Sequence, residues 1–277
     1  MSETIWMCPV CGAPLAWDAR TLRCPARHSF DAARSGYVHL LPASRKRSAV
    51  PGDDPEMVRS RRRFLENGHY AHLLETLQDA AAALPQGAVL LDAGCGEGWY
   101  TKGIHAARPD LTVFGIDISK TAADLAARAD KSAAYAVASV FHMPVQTASC
   151  DAVMSVFAPY CGEEFRRVLR PGGRLILAVP AARHLWELKC AVYEHPYENE
   201  LHDTALEGFK FLEKRETSRM ISLDTPQAIA DLFGMTPYAY RTSPADRARL
   251  DALTSLETLA AFEVLVYEKE DAPCAAP

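Results

Sequence analysis

Cys8-Pro9-Val10-Cys11 and, after twelve intervening residues, Cys24-Pro25-Ala26-Arg27-His28 set three thiols and an imidazole in two tight pairs near the start of a 277-residue chain. Each short pair lets one turn aim two side chains at a single point, and the stretch between is long enough for a hairpin. Thiolates with an imidazole at this spacing are the ligand set of a closed tetrahedral zinc site. So short a segment holds little apolar side chain for a core, so metal binding would itself supply folding free energy. The competing reading is four unconnected groups in a chain with eight cysteines. A closed site has no open coordination position, so the pattern points to recognition of a partner, and reaction chemistry must lie further along.

The second constellation is Leu91-Asp92-Ala93-Gly94-Cys95-Gly96-Glu97-Gly98. Alternate glycines allow a tight turn and close approach of a ligand to bare backbone. Asp92 precedes the turn, and Asp117 stands 25 residues on at the end of the next apolar run. The spacing is not that of the nicotinamide fingerprint. In this geometry the acid ending the second strand receives the two hydroxyls of a ribose, while Asp92 holds the turn and meets an amine-bearing end of the ligand. Glu97 has a plainer reading as an acid at a helix N-terminus, and the glycines as a bare strand-to-helix turn.

These residues need a scaffold, and the apolar pattern describes one. Val89–Asp92, Leu111–Asp117, Tyr135–Ala138, Asp151–Phe157 and Leu175–Val179 read as buried strands, the last entered through Pro171-Gly172-Gly173, with helices such as Lys120–Ala129 between them. Strand–helix alternation predicts an α/β fold with a mostly parallel sheet covered on both faces. Upstream, Asp54 caps and Pro55 opens a helix that carries Arg59, Arg61, Arg62 and Arg63 and ends near Gly68, and a second helix runs from Tyr70 to Leu84. Phe30 and Tyr37 are expected to pack under the metal. Beyond residue 208 the pattern is less regular: a strand within Phe209–Leu223, a helix over Pro226–Phe233, a last strand over Phe262–Tyr267 and a frayed tail from Glu268. The expected divisions are a metal module over 1–41, a linker over 42–60 and the α/β domain over 61–277.

Composition narrows the function classes. No apolar run approaches the roughly 20 residues of a membrane span, and the N-terminus lacks the basic start and apolar core of a signal peptide. These features predict a cytoplasmic setting, with Cys95, Cys150, Cys161, Cys190 and Cys274 as free thiols. The net charge of −5 hides an asymmetry: the first 63 residues hold 11 Lys+Arg against 6 Asp+Glu. Arg20, Arg23, Arg27 and Arg34 surround the metal pattern, followed by Arg45-Lys46-Arg47 and the arginines of the first helix. A basic module on an acidic body predicts contact with a polyanion.

Val89 to Gly98 with Asp117, and Pro171-Gly172-Gly173 before the fifth strand, resemble the class I S-adenosylmethionine-dependent methyltransferases, a Rossmann-like fold with a mostly parallel seven-stranded sheet. The whole chain resembles the RlmA family of large-subunit ribosomal RNA (guanine-N1)-methyltransferases. The stretches that carry this are the two cysteine motifs through Asp31, Gly36–Pro42, Pro51–Asp53, Gly68–Tyr70, Asp92–Tyr100, Ala158-Pro159 and Arg183–Lys189. The likeness spans about residues 8–240, and the last forty residues match least.

The resemblance implies one structural zinc on Cys8, Cys11, Cys24 and His28, and S-adenosylmethionine contacts from Tyr70, Gly96, Glu97 and His184. These join Asp92, Gly94, Gly98 and Asp117 as cofactor-binding candidates. It also implies an RNA hairpin of the large subunit as partner, a homodimer, and 1–41 as an RNA-recognition module ahead of the methyltransferase domain. Two branches of the family modify neighbouring guanines, one of them resembling macrolide-resistance determinants. Pro51-Gly52-Asp53 looks more like the branch found mainly in Gram-negative bacteria.

Methyl transfer to guanine N1 needs in-line alignment and loss of the N1 proton. Phe157-Ala158-Pro159-Tyr160 stands where many base methyltransferases carry an Asn-Pro-Pro-Tyr type motif. Replacement of the Asn fits a ring nitrogen as acceptor, and Phe157 or Tyr160 could stack on the base. Glu163, Glu164 and His184 are candidate proton acceptors, and Ser139 a weaker candidate beside the adenine; no catalytic residue is assigned. Two rivals stand: a methyltransferase for a small molecule or protein with a purely structural knuckle, and a non-enzymatic zinc adaptor. The intact glycine turn with Asp117 argues against the adaptor, and the basic N-terminal asymmetry against a small neutral acceptor.

Overall fold

A computed structural model describes residues 4–42, 52–200, 204–240 and 242–270. Arg45-Lys46-Arg47, Pro51, Cys274 and the tail beyond residue 270 lie outside the described residues.

The N-terminal segment forms a small antiparallel sheet of β1 (Ala16–Asp18), β2 (Thr21–Arg23) and β3 (Ser29–Asp31), followed by β4 (Val38–His39). The helix α1 (Pro55–Glu66) is capped by the Asp54 carboxylate, which accepts from the Glu56 and Met57 N–H groups. It is followed by α2 (Ala71–Ala82), and then strands and helices alternate: β5 (Val89–Ala93), α3 (Trp99–Ala107), β6 (Thr112–Asp117), α4 (Lys120–Ala129), β7 (Ala134–Val137), β8 (Cys150–Val156), α5 (Gly162–Val168), β9 (Leu169–Pro180) and α6 (Trp186–Val192). The chain closes with β10 (Phe209–Leu223), α7 (Pro226–Gly234), α8 (Pro244–Asp251) and β11 (Leu256–Lys269).

The large sheet runs β10-β11-β9-β8-β5-β6-β7-β4. Pairings from β9 through β8, β5, β6 and β7 to β4 are parallel, while β11 is antiparallel to both neighbours. The seven expected strands are present, and β4 adds an eighth from the N-terminal segment. Strand order reverses at β5, with β6 on one side and β8 on the other, which opens a crevice at the carboxyl ends of these strands. The late strands are longer than the sequence pattern predicts: β11 starts at Leu256 and includes Glu268 and Lys269, the start of the expected frayed tail. The helix α8, capped by Ser243 and opened by Pro244, carries no clear apolar periodicity and was not expected from the sequence.

Both faces of the sheet are buried, which is why its strands read as continuous apolar runs. Leu90 and Met154 belong to one core with Leu73, Ile104 and Phe262. Leu91 and Val153 face the opposite core, which also takes in Trp6, Cys8, Leu22 and Val38 from the N-terminal segment. Trp6 is fully buried and meets Phe114 edge-on at 5.3 Å. The metal module therefore shares a core with the sheet. Nor is 42–60 linker throughout, because α1 begins at Pro55. Tyr37 does not pack under the metal pattern; it joins Leu41, Ala126 and Tyr135 against α4, and only Phe30 packs with the core that holds Cys8 and Cys24. The cysteines within the described residues are free of disulfides.

The arginines of α1 do not form an open basic face. Arg59 pairs with Glu56, Arg62 with Glu66, and Arg63 with the buried Asp231 of α7. Arg61 turns inward to Asp53 at 2.6 Å.

Candidate functional site

Cys8, Cys11, Cys24 and His28 converge as their spacing predicts. Their ligand atoms lie within 4.8 Å of one another. The His28 Nδ1 is 3.5 Å from the Cys8 Sγ and 3.3 Å from the Cys24 Sγ, and the Cys11 and Cys24 sulfurs are 3.7 Å apart. A tetrahedron with zinc–sulfur bonds of about 2.3 Å has edges of about 3.8 Å, so the donor set fits zinc as it stands. The local backbone explains the convergence. Gly12 donates to the Cys8 carbonyl and Arg27 to the Cys24 carbonyl, both from the left-handed region, which folds each pair into a turn around one point.

The second site is a cavity of about 820 Å³ at the carboxyl ends of β5, β6, β8 and β9. Tyr70, Asp92, Gly94, Gly96, Glu97, Asp117 and His184 all stand on its wall. Gly98 does not. It caps α3 at φ 82°, and a Cβ there would lie 2.8 Å from the Ala126 Cβ and 3.0 Å from its Cα. Its glycine seats the turn against α4. Gly98→Ala is expected to destabilise the protein by about 2–3 kcal/mol through positive-φ strain and overpacking. Thermal unfolding should show a melting point lower by roughly 5–10 °C, and no change would mean that α4 yields freely.

Asp117 is held by two backbone donors: the Gly96 N–H to its Oδ2 at 2.9 Å and the Ser119 N–H to its Oδ1 at 2.7 Å. Both oxygens keep lone pairs toward the cavity. The Thr101 hydroxyl donates to the Asp92 Oδ2, while the Asp92 Oδ1, the Glu97 Oε2 and the Tyr100 hydroxyl are buried without a partner among the described residues. Burial, reinforced by Asp117 and Glu97, pushes the Asp92 carboxyl up to about 7 against the pull of Thr101. Glu97 is likewise raised to about 7, mainly by burial, with Arg61 opposing. Asp53, Asp92, Glu97 and Asp117 share this wall with one guanidinium, that of Arg61, which faces Asp53, Glu97 and Asp117. Orphaned buried oxygens and an excess of acid suit a ligand that brings hydroxyls, an ammonium and a sulfonium.

A pH dependence follows. A carboxyl whose folded value lies near 7 and whose unfolded value lies near 4 makes the ligand-free fold lose stability as pH rises through that window. A cationic ligand favours the ionised form, so binding expels a proton and weakens as pH falls below about 7. Asp92→Asn is expected to raise the melting point of the ligand-free protein at neutral pH and to remove about half a released proton at about pH 7, rising toward one at lower pH. Calorimetry in buffers of different ionisation enthalpy reads that proton; an unchanged proton count would take Asp92 out of contact with the ligand.

His184 accepts from the Ala261 N–H at its Nδ1, 3.2 Å away, so its proton sits on Nε2, 3.4 Å from the Tyr70 hydroxyl. Burial first, and the charge of Lys189 second, push it down to about 3. It is a neutral wall residue with both nitrogens engaged, which removes it as proton acceptor. Glu164 is tied to Arg167 and the Met143 N–H, and neither it nor Glu163 reaches the cavity. Ser139, Phe157 and Tyr160 do reach it, and Phe157 is held at φ 54° on the rim. Sequence reasoning missed Arg61, Asn199 and Tyr238 on the wall. Arg61 carried a weak signal, as one arginine of a cluster on an amphipathic helix; Asn199 and Tyr238 carried none.

Comparison with known proteins agrees with this geometry. Residues 6–49 match the zinc-ribbon family described as RlmA, N-terminal, and residues 91–177 match the methyltransferase domain family. The chain is 36% identical over 279 residues to a putative 23S rRNA (guanine-N(1)-)-methyltransferase of Micromonospora griseorubida, covering 92% of this chain and 93% of that one. It is 36% identical to the 23S rRNA (guanine(748)-N(1))-methyltransferase of Streptomyces fradiae, covering 87% and 88%. The solved YcgJ protein of Bacillus subtilis shares the fold, with a TM-score of 0.51 at 15% identity over 73% of this chain and all of that one. With zinc donors at its N-terminus and an acid-walled cavity at the carboxyl ends of its central strands, the chain belongs to the 23S rRNA (guanine-N1)-methyltransferase family.

Proposed function

We propose that this protein methylates N1 of a guanine in a hairpin of 23S ribosomal RNA, in the cytoplasm and as a homodimer. The observation that carries the chemistry is the acid-walled cavity with Asp92 and Glu97 oxygens unpartnered among the described residues, in a chain aligned over nearly its whole length with rRNA guanine-N1 enzymes. S-adenosylmethionine supplies the electrophilic methyl group. Asp117 would take the ribose hydroxyls, Asp92 the amine, and the Gly94 and Gly96 backbone the close approach along the turn. Tyr70 and His184 would close the wall on the side of the transferred group.

Phe157 and Tyr160 are about half exposed on the rim at the β8 end. There they would sandwich a base turned out of its stack, as an N1 that pairs within a duplex requires. The zinc module would orient the hairpin. A groove of about 410 Å³ between it and α4, lined by Trp17, Arg20, Arg34 and Lys131, supports this with an aromatic face among cations. The paired arginines of α1 support it less than their sequence clustering promised.

The test is primer extension on 23S rRNA incubated with enzyme and S-adenosylmethionine. A methyl on N1 blocks reverse transcriptase, so a new stop beside one guanine is expected. Transfer to a small molecule or protein without any such stop would restore the rival reading.

A further inference from the structure

Lys189, on α6, is buried with 1% exposure, and its ammonium pairs with no carboxylate within ion-pair distance among the described residues. It donates to the Asn199 Oδ1 at 2.7 Å and the Tyr197 carbonyl at 3.0 Å, and lies 4.7 Å and 5.4 Å from the ring centres of Tyr197 and Tyr238. A buried cation without a counter-ion is costly unless something anionic comes to meet it. Because an ammonium only donates, the amide oxygen of Asn199 must face Lys189. The Asn199 Nδ2 therefore gives one hydrogen to the Ala181 carbonyl at 2.9 Å and keeps a second, and Asn199 stands on the cavity wall.

This cluster stands at the β9 end of the cavity, on the side of Phe157 and Tyr160 and away from Asp117. On the function proposed above this would be the acceptor side, where negative charge builds on the guanine carbonyl oxygen as N1 loses its proton.

Resting on the function proposed above, we infer that Asn199 donates to the O6 of the acceptor guanine and that Lys189 is the positioning residue behind it. Donation from Lys189 to the amide oxygen polarises the amide and strengthens its outward N–H. Charge on O6 is stabilised, N1 becomes more acidic, and its proton passes to solvent water without a dedicated base. The N1 lone pair then forms the bond to the methyl carbon as the carbon–sulfur bond breaks, its electron pair staying on a sulfur that becomes neutral. Glu198 on the same loop, the phenols of Tyr197 and Tyr238, and neutral His184 are the titratable groups facing Lys189. Burial lowers the Lys189 ammonium and Glu198 raises it.

The experiment measures single-turnover methylation of a 23S rRNA hairpin transcript from about pH 6.5 to about 9.5, with S-adenosylmethionine affinity by calorimetry. Lys189→Met and Asn199→Ala are expected to be at least roughly tenfold slower at neutral pH, with the gap closing as pH rises, and to bind S-adenosylmethionine within about twofold of wild type. Lys189→Arg should recover most of the rate. Loss by the same factor at every pH, or no loss, overturns the assignment. Should Lys189→Met fail to fold, Asn199→Ala, at a half-buried wall position, decides alone. An inactive wild type would defeat the functional reading itself, whereas parallel profiles against an active wild type defeat only the roles of Asn199 and Lys189.

Discussion

Asp117→Ala is expected to abolish measurable S-adenosylmethionine binding while leaving zinc content unchanged. Two ribose hydroxyls donating to one carboxylate are worth about 1.5–3 kcal/mol each, so their joint loss corresponds to roughly a hundredfold to ten-thousandfold in affinity. The damage extends beyond the ligand. Asp117 also accepts from the Gly96 and Ser119 N–H groups, so its removal frees the donor that shapes the glycine turn and the one that leads into α4. Asp117→Asn is the milder control: one oxygen remains to accept, but the charge is gone and an amide N–H would confront one of the two backbone donors. Calorimetry gives the affinity and metal analysis the zinc. Wild-type affinity in Asp117→Ala would mean that the nucleoside lies elsewhere.

Cys24→Ala is expected to release zinc and to reduce rRNA methylation by a hundredfold or more, with S-adenosylmethionine affinity affected far less. A structural zinc contributes on the order of 10 kcal/mol to the folding of such a site, and the module has little else of its own. The shared core adds a consequence that an independent module would not have. Cys8, Cys24, Leu22 and Trp6 pack in one cluster with Leu91, Phe114 and Val153, so loss of the metal should also lower the melting point of the whole protein. Trp6, fully buried in the native state, should become solvent-exposed and shift its fluorescence to the red. Methylation equal to wild type in a zinc-free variant would dismiss a role for the module in RNA recognition. Cofactor affinity lost in equal measure would mean that the module supports the cavity and not the RNA.

The two ligand constellations were legible because each is local. In the N-terminal motif, residues three or four apart can reach one metal only through turns, and turn chemistry is written in neighbouring residues such as Gly12. The Asp92–Gly98 turn and Asp117 were legible for a related reason: parallel pairing of β5 with β6 brings the ends of successive strands side by side, so sequence order becomes spatial order. Helix α1 was readable from Asp54 and Pro55, whereas α8, with a similar Ser243-Pro244 start, was missed because its mixed surface pattern shows no apolar stripe. The wall residues Arg61, Asn199 and Tyr238 had no comparable signature. Their place depends on α1, the loop after α6 and the turn after α7 arriving at one cavity from distant parts of the chain.

Short-range rules, then, determined from sequence alone the zinc donors, the glycine turn with its two acids, the parallel sheet and the family resemblance. Tertiary structure alone decided that β4 joins that sheet, that the α1 arginines are spent on ion pairs, that His184 is held neutral between Ala261 and Tyr70, and that a buried lysine stands behind Asn199. Spacing encodes what neighbouring residues can do together. Burial and charge balance are set by which distant elements pack against each other, and no local pattern carries that information.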